Sequence, residues 1–458
     1  MKADLRNSDP MHTDGAPSAT PRPGASARAN DFHAQLAARL RSQPLAALDT
    51  QLHAWVEQAE RLVDHDCINL YAGTNTMNPR AKALLASSIG VRPSLGHPGE
   101  KYNKGVHEIE KIEVLALELL KRLFNASYAE YRVPSGSIAN LYAFMATCTP
   151  GDTIIAFADA AAGHPTHHAI GAAGLYGLKV LEMPFDAARM DVDVDGLRLL
   201  AREARPKLLI VAGSMCLFPY NVAAVRGIAD EVGAKVLYDA AHMGGLIAGG
   251  AFQQPLAEGA HLMTGSTYKS FGGPPSGMVL TTEASLAEKL DRIAYPGLTA
   301  NFDAAKTAAL ALAALDLLEH GRDYARQMIA NAQALAEALA AAGVAVFRPA
   351  ARDGFTVSQH VALDARPYGG GNRAAELIER ANILFTSIGL PLPPVAGDAN
   401  GIRIGTQEVT RWGMQADAMR AVADLVARVL ARGETPEHVR PDAIALRARY
   451  RTLHYIRP

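Results

Sequence analysis

The first 65 positions of the chain carry two different patterns of polar and apolar residues. Residues 9–30 are rich in Pro, Gly, Ala and Ser and show no periodic apolar positions, so they cannot bury enough surface to offset the entropy of ordering. We therefore predict a flexible leader over residues 1–30. From about residue 31, apolar side chains recur at helical spacing and form one stripe, which predicts an N-terminal helical arm over residues 31–65. Such a stripe needs a surface to pack on, and a second subunit would provide one.

Between about residues 65 and 295, short apolar runs of β type alternate with helical stretches. The predicted helices cover residues 106–124 and 222–234. The predicted strands cover residues 153–159, 179–185, 207–213, 235–242 and 277–282. This alternation predicts an α/β fold in which helices cover both faces of a mostly parallel sheet, and we assign residues 66–300 to this large domain.

The C-terminal third of the chain has a different organisation. An Ala-rich stretch at about residues 304–342 predicts a long helix. The segments that follow it, such as TVSQHVALDA (356–365) and GIRIGT (401–406), predict a smaller α+β domain. We therefore assign residues 301–458 to a linking helix and a small C-terminal domain.

Composition restricts the partners and the compartment. The 458 residues, 49% of them hydrophobic, are enough for two domains. The chain holds 45 basic and 46 acidic residues, which predicts no nucleic-acid or membrane partner and favours a small molecule. Cys67, Cys148 and Cys216 show neither disulfide nor metal spacing, and no apolar run reaches the roughly 18 residues of a membrane span. We expect a soluble, cytoplasmic protein.

Polar residues of distinct chemistry stand at the predicted carboxyl ends of strands, where open α/β sheets bind ligands. Lys269 follows the run HLMTGS among glycines that let backbone approach a ligand, and Asp239 ends the strand that begins KVLY. Ser135, Gly136 and Ser137 precede the helical run IANLYAF, and a helix N-terminus can hold a phosphate. Pyridoxal phosphate needs these three features together. A lysine forms its Schiff base, a carboxylate keeps its pyridine nitrogen protonated, and N–H groups hold its phosphate.

Each of these residues also has a plainer explanation. A lysine in a glycine-rich loop is usually a solvated surface residue, an aspartate after a strand often caps a helix, and SGS is a common turn. The run GHPTHH contains His164, His167 and His168, which could suggest a metal, but no carboxylate or cysteine lies at ligand spacing. The ordered set therefore favours pyridoxal phosphate, and we predict no metal.

The order of the motifs SGSIAN, GHPTHH, YDAAHMGGLIAGG, STYKSFGGPPSG and GIRIGTQEVTRWG resembles the serine hydroxymethyltransferase family of fold type I pyridoxal-phosphate enzymes. The resemblance runs from about residue 68 to residue 430. It implies a large domain with a mostly parallel sheet of the seven-stranded type, a smaller C-terminal α+β domain, and a small amino acid as substrate. It also implies a homodimer or homotetramer with active sites at the subunit interface.

The resemblance implies a role for each residue of its motifs. Lys269 would be the Schiff-base lysine, and Asp239 would be the partner of the pyridine nitrogen. His242 would contact the phenolic oxygen of the cofactor, His164 would stack on its ring, and Arg403 would bind the substrate carboxylate through its guanidinium fork. The other implied cofactor contacts are Ser135, Gly136 and Ser137 at the phosphate, with Ser214 and Ser266 near the cofactor.

The chain departs from the family pattern around LGHPGEKYNKG, residues 95–105. Leu95 stands at the position of a family glutamate used in folate-dependent chemistry, and Pro93 and Asn103 stand at catalytic tyrosine positions. Four further positions differ, where the family has a histidine, an arginine and a glycine pair: Tyr268, Pro275, Ala300 and Asn301. These differences predict that cofactor binding is intact and make the use of tetrahydrofolate doubtful.

An Arg403 that anchors the substrate carboxylate would favour cleavage of the Cα–Cβ bond of a β-hydroxy amino acid by a retro-aldol reaction. This step needs a base for the β-hydroxyl, for which the sequence offers His97, Glu100 and His167, and we select His97.

Our first hypothesis is a hydroxymethyltransferase-like enzyme acting on serine-type and glycine-type amino acids. The second is a folate-independent aldolase or transaldolase for threonine-type or α-methylserine-type substrates, and the third is a non-catalytic binding or regulatory homologue. Retention of Lys269, Asp239 and Arg403 argues against the third, and an aminotransferase is a further enzymatic alternative.

Overall fold

The computed structural model describes residues 22–458, which form two units that divide after Asp64. Most of the predicted leader, residues 1–21, lies outside the described residues. The chemistry predicted from the sequence falls in the second unit.

The first unit consists of two helices, α1 (Ala27–Arg41) and α2 (Leu45–Glu60). The Ser26 hydroxyl accepts a hydrogen bond from an N–H of the first turn of α1 at 3.2 Å, and so caps its start. The predicted arm is therefore helical, although α1 begins before the predicted boundary at residue 31. The apolar stripe runs along α2, where Leu52 and Trp55 are 57% and 41% exposed.

The strands of the second unit, in chain order, are β1 (Ile68–Asn69), β2 (Tyr128–Val133), β3 (Thr153–Ala156), β4 (Lys179–Glu182), β5 (Phe185–Asp186), β6 (Asp191–Val192), β7 (Leu208–Ala212), β8 (Lys235–Asp239), β9 (Leu262–Ser266), β10 (Gly277–Thr281), β11 (His360–Asp364), β12 (Ile383–Leu384), β13 (Thr386–Ile388) and β14 (Gly401–Gly405).

The helices of the second unit are α3 (Pro79–Leu85), α4 (His107–Phe124), α5 (Gly136–Thr147), α6 (Ala172–Leu175), α7 (Val194–Ala204), α8 (Val222–Val232), α9 (Gly244–Ala248), α10 (Ala284–Arg292), α11 (Ala304–Ala341), α12 (Gly371–Glu379), α13 (Gln407–Arg411), α14 (Ala416–Leu430) and α15 (Pro436–Arg447).

The large sheet has seven strands in the order β2-β10-β9-β8-β7-β3-β4, and β10 runs antiparallel to both of its neighbours. Strand β7 is buried along its whole length, as expected for a strand covered on both faces. Its alternate residues enter different cores: Leu209 and Val211 pack in the core that includes α8, and Leu208 and Ile210 in the core that includes α5. The predicted α/β fold, with helices on both faces of a mostly parallel sheet, is confirmed.

The 38-residue helix α11 takes part in both the large and the small hydrophobic cores. Leu310 and Leu317 lie in the core of the large sheet, whereas Leu335 and Leu339 lie in the core of the small C-terminal domain. Its bounds, Ala304–Ala341, agree with the long helix predicted at about residues 304–342.

The small domain is built on an antiparallel sheet of order β11-β14-β13. A separate parallel pair joins β1 to β12, with Ile68 opposite Ile383. The first strand of the second unit therefore pairs with the small domain, although the sequence placed it in the large one. Two residues that pair across more than 300 positions leave no local pattern from which the pairing could be predicted.

Residues 22–458 contain no helix that is long and apolar enough to cross a membrane. In the same residues no group of three or more His, Cys, Asp or Glu side chains is arranged to hold a metal ion. The three cysteines are free thiols buried in the protein, and burial raises the pKa of Cys67 to about 12.

Candidate active site

A cavity of about 430 Å³ opens beside the carboxyl ends of the central strands. This is the edge at which parallel sheets bind ligands. Five residues predicted for the site line it together: His164, Ser214, His242, Lys269 and Arg403. The other lining residues are Tyr71, Gly73, Thr74, Asp159, Gly163, Pro165, Tyr268, Ser387 and Ile388.

Lys269 lies in the turn that follows β9, with its side chain buried against His242. Its Nζ lies 3.0 Å from His242 Nε2. Burial lowers the pKa of the Lys269 ammonium to about 8; the positive charge of Arg403 adds to this effect and the negative charge of Asp239 opposes it. The lysine is therefore closer to its nucleophilic amine form than an exposed lysine would be.

The structure explains why a glycine stands at position 272, three residues after Lys269. Gly272 has φ +76°, and a Cβ there would lie 2.6 Å from Arg411 Nη2. Its N–H donates to the carbonyl of Lys269 at 2.9 Å and closes the turn. Gly272 thus fixes the Lys269 turn against a buried arginine, and it is not one of the residues that line the cavity.

His242 is held as a neutral hydrogen-bond acceptor. Its Nδ1 lies 3.1 Å from the carbonyl of Ala72, which can only accept, so Nδ1 carries the proton and Nε2 is free to accept. Nε2 faces Lys269 and, at 3.3 Å, Arg403 Nη1. Burial, together with these two positive charges, lowers the pKa of His242 well below its ordinary value.

Arg403 enters the cavity from β14 of the small domain. Its Nη1 donates to the Ser214 carbonyl at 2.5 Å, and Nη2 lies 3.5 Å from Thr386 Oγ1. Burial lowers the pKa of Arg403 to about 10, which leaves the guanidinium charged at neutral pH. Among the described residues its Nε has no partner, and no carboxylate lies within ion-pair distance. A buried guanidinium of this kind can bind the carboxylate of a ligand.

Asp239 ends β8 and accepts several hydrogen bonds. Its Oδ2 lies 2.9 Å from both Asn140 Nδ2 and His167 Nε2, and Oδ1 accepts from the Ala241 N–H at 2.9 Å. Burial alone would raise the pKa of Asp239, but the bond and charge of His167 and the bond from Asn140 outweigh it and hold the pKa below its usual range. Asp239 therefore remains a carboxylate, as the partner of a protonated pyridine nitrogen must.

The Ser135–Ser137 turn forms the start of α5. The Ser135 hydroxyl accepts from the Ile138 N–H at 3.2 Å, and the first N–H groups of a helix have no intrahelical acceptor. Ser266 lies beside this turn, because a Cβ on Gly136 would lie only 3.2 Å from Ser266 Cβ. The buried Ser266 Oγ has no hydrogen-bond partner among the described residues. These donors fit a phosphate, and with Lys269 and Asp239 they fit pyridoxal phosphate.

His164 and Ser214 complete the cavity wall. His164 Nδ1 lies 2.7 Å from Thr166 Oγ1 and accepts from the Thr166 N–H at 3.2 Å. Burial lowers the pKa of His164 to about 4, so its ring is neutral and can pack against another ring. The Ser214 hydroxyl donates to the Gly163 carbonyl at 3.0 Å, which joins the two loops.

The structure does not bring His97 to this cavity within one chain. His97 lines a different cavity, of about 280 Å³, where its Nε2 lies 2.9 Å from Asp291 Oδ2. Glu100, the second candidate base, is exposed and is not among the residues lining the Lys269 cavity. His167, the third, is fully buried with Nε2 directed at Asp239. His97 and Glu100 stand in a loop and His167 ends the short 3-10 helix Pro165–His167, and tertiary contacts that the sequence pattern does not reveal set their positions.

Two further residues of the site were missed in the sequence. Asn140 lies within SGSIAN and orients Asp239, and its own Oδ1 accepts from Thr264 Oγ1 at 2.7 Å. Asp159 lines the cavity and is the last residue of the predicted strand TIIAFAD. For Asp159, a carboxylate at a strand end, the same rule that selected Asp239 could have been applied.

Comparisons with known proteins identify the family. The model of the family "Serine hydroxymethyltransferase" matches residues 45–426. An α-methylserine aldolase from Ralstonia sp is 49% identical over 428 residues, which are 93% of this chain and 97% of the relative. An α-methylserine aldolase from Variovorax paradoxus is 50% identical over 430 residues, 94% and 97% of the two chains.

More distant proteins share the family or the fold. A serine hydroxymethyltransferase from Archaeoglobus fulgidus is 41% identical over 392 residues, 85% of this chain and 89% of the relative. The crystal structure of L-threonine transaldolase from Pseudomonas fluorescens superposes with a TM-score of 0.80 at 24% identity, covering 90% of this chain and 95% of that one. The chain belongs to the serine hydroxymethyltransferase family and is a pyridoxal-phosphate-dependent enzyme of that family.

Proposed function

We propose that the protein is a folate-independent aldolase that cleaves the Cα–Cβ bond of α-methylserine-type amino acids. The observation that carries the proposal is the gathering of Lys269, His242 and Arg403 at one cavity, with Nζ and Nη1 both directed at His242 Nε2. Relatives named α-methylserine aldolase, at 49–50% identity over nearly the whole chain, support this substrate class over the serine-to-glycine reaction that we had placed first.

The surroundings of each site residue suggest its role in binding the substrate or the cofactor. Arg403 would bind the substrate carboxylate, and Lys269 would hold the cofactor through its aldehyde. Asp239, oriented by Asn140 and His167, holds the pyridine nitrogen. The Ser135–Ser137 turn, with the free hydroxyl of Ser266, binds the phosphate, and His164 packs on the ring.

The overall reaction balances without a further reactant. When bound, pyridoxal phosphate accepts the electron pair that the breaking Cα–Cβ bond leaves on Cα. The β-hydroxyl loses its proton, its carbon leaves as formaldehyde, and Cα gains a proton, so that α-methylserine yields alanine. By holding the carboxylate, Arg403 would fix the orientation of the bonds at Cα.

The segment around Leu95 supports folate independence. Leu95 carries an aliphatic side chain where the resemblance implied a glutamate, so it cannot transfer a proton. Asn103, at an implied tyrosine position, accepts from the Leu95 N–H at 3.0 Å, and Asn301 accepts from the Ser94 N–H at 3.1 Å. These side chains hold the backbone of the loop in place, which is a structural task.

The test is a comparison of substrates on protein purified with pyridoxal phosphate. We expect α-methylserine to yield formaldehyde and alanine without folate, and L-serine to yield little formaldehyde with or without tetrahydrofolate. Lys269→Ala should remove both the visible absorbance of the bound cofactor and the cleavage. Turnover of serine that depends on tetrahydrofolate would instead support a hydroxymethyltransferase, and turnover that depends on an added keto acid would support an aminotransferase. The dimeric or tetrameric state and the cytoplasmic location stay predictions.

A further inference from the structure

The proposed cleavage needs a group that removes the proton of the β-hydroxyl. None of the three bases considered from the sequence lies in the cavity of this chain. The inference below rests on the proposed function and concerns which residue supplies this base.

Asp159 is the only acidic residue among those that line the Lys269 cavity. It follows β3, five positions before His164, and its side chain is exposed at the cavity mouth. Among residues 22–458 its carboxylate takes part in no hydrogen bond and no ion pair, whereas Asp239 is bound by three groups. The lone pairs of Asp159 are therefore available to a ligand.

The fold places Asp159 beside the strand pair that carries Arg403. A Cβ on Gly389 would lie 2.3 Å from the Asp159 carbonyl and 3.1 Å from its Oδ2, so the two loops touch. Gly389 is three residues beyond Thr386, the register partner of Arg403. At about 3.3 Å per residue, this puts Asp159 roughly 10 Å along the strand from the Arg403 backbone. Asp159 and Arg403 line the same cavity, so an amino acid held by its carboxylate at the guanidinium would occupy the space that both side chains border.

The other polar groups of the cavity are engaged or are poor bases. His242 Nε2 already accepts from Lys269 and Arg403. His164 Nδ1 lies 2.7 Å from Thr166 Oγ1 and already accepts from the Thr166 N–H at 3.2 Å. Tyr71 and Tyr268 carry phenol groups, which offer a donor O–H to a ligand.

We propose that Asp159 is the general base of the cleavage. Its carboxylate takes the proton from the β-hydroxyl oxygen, the C–O bond becomes C=O, the Cα–Cβ bond breaks with its electron pair left on Cα, and the aldehyde leaves. Asp159 then returns its proton to solvent, and Cα takes one proton, so the charge of the site is restored.

The experiment compares two reactions of the cofactor-loaded enzyme. Cleavage of α-methylserine, followed as formaldehyde, needs the base for the hydroxyl. Exchange of the α-hydrogen of alanine in D₂O, followed by NMR, uses the same lysine, cofactor and Arg403 but has no hydroxyl to deprotonate. Asp159→Asn removes the base with little change of shape, Asp159→Glu keeps a carboxylate, and Asp195→Asn is a control at a side chain that is 97% exposed on α7.

We expect Asp159→Asn to lower kcat for cleavage by about 100-fold or more, with exchange and visible absorbance near the wild-type values. Asp159→Glu should recover part of the cleavage, and Asp195→Asn should match the wild type in both reactions. Cleavage by Asp159→Asn at the wild-type rate would overturn the assignment, as would equal losses of cleavage and exchange. If the wild type exchanged alanine but cleaved no β-hydroxy amino acid, the proposed function itself would be wrong.

Discussion

A buried ion pair between Lys101 and Glu113 should hold the loop that departs from the family pattern. Lys101 Nζ lies 2.6 Å from Glu113 Oε2, and the two side chains are 3% and 7% exposed. Nζ also donates to the carbonyls of Ser94 and Gly96 at 3.2 and 2.7 Å, and the Ser94 hydroxyl donates to Glu113 Oε1 at 3.0 Å. The pair therefore fastens residues 94–101 to helix α4.

Replacing Glu113 alone should lower the free energy of unfolding more than replacing both Lys101 and Glu113. Glu113→Leu leaves the buried ammonium of Lys101 with only two carbonyls, and the loss of a buried counter-charge costs about 3–5 kcal/mol. Because those carbonyls remain, we expect the lower end, about 3 kcal/mol. The double variant Lys101→Met with Glu113→Leu has no uncompensated charge. It loses the hydrogen bonds of the Ser94 and Gly96 carbonyls to Lys101, about 0.5–1 kcal/mol each, and the Ser94 hydroxyl bond to Glu113, which the single variant loses as well.

The assay is a double-mutant cycle of urea unfolding, with proteolysis of the loop as a local probe. A matched control is the pair Lys111 and Glu108, which lies at nearly the same distance, 2.7 Å, but is 71% and 81% exposed. Its single variants should leave unfolding unchanged within error. If Glu113→Leu shifted unfolding no more than Glu108→Leu, or if the double variant were as unstable as the single one, the reasoning from burial would be refuted.

Three further predictions concern the site and its support. Since burial lowers the pKa of Lys269 from 10.5 to about 8, cofactor-stripped protein should take up pyridoxal phosphate at a rate that rises with pH and levels off above about pH 8, and a stopped-flow midpoint above pH 10 would contradict this. Arg403→Lys should raise the KM for the amino acid by about 10–100-fold with a smaller change in kcat, because an ammonium cannot bind a carboxylate through two parallel N–H groups, and an unchanged KM would count against carboxylate binding there. Tyr455→Ala should lower the free energy of unfolding by about 1–3 kcal/mol, because its ring stacks on the Tyr324 ring at a centroid distance of 5.4 Å. Tyr102→Ala, at a residue that is 81% exposed, should leave the free energy of unfolding unchanged. Equal effects of the two substitutions would show that the stacking does not stabilise the fold.

The regular elements could be predicted where one periodicity dominated a long enough stretch. The helix predicted over residues 106–124 is α4, His107–Phe124, and that predicted over 222–234 is α8, Val222–Val232. Both bury one apolar face, α8 against β7 and β8 and α4 mainly against α11, so their period of 3.6 is strong. The run over 179–185 was predicted as one strand but divides into β4 and β5, because Met183 and Pro184 between them belong to neither ladder.

The site could be predicted as far as the topology of parallel strands determines it. Lys269 and His242 stand after adjacent strands, so the sheet brings them together whatever the loops do. Arg403 comes from another domain, and its place followed from the family resemblance rather than from the residues. Asn140 and Asp159 depend on how a helix and a loop pack over the strand ends, which no periodicity encodes.

Asp239 and Arg403, the charged residues proposed for the cofactor and the substrate, differ in how far the protein already provides partners for their charges. Asp239 already accepts bonds from Asn140, His167 and the Ala241 N–H, so its negative charge is in place before any ligand binds. Arg403 is buried beside the cationic Lys269, with no carboxylate partner among the described residues, and a buried cation without an anion is costly. Part of that cost is recovered only when a ligand brings a carboxylate. We therefore expect binding energy at this end of the cavity to favour ligands that carry a carboxylate, as the proposed amino-acid substrate does.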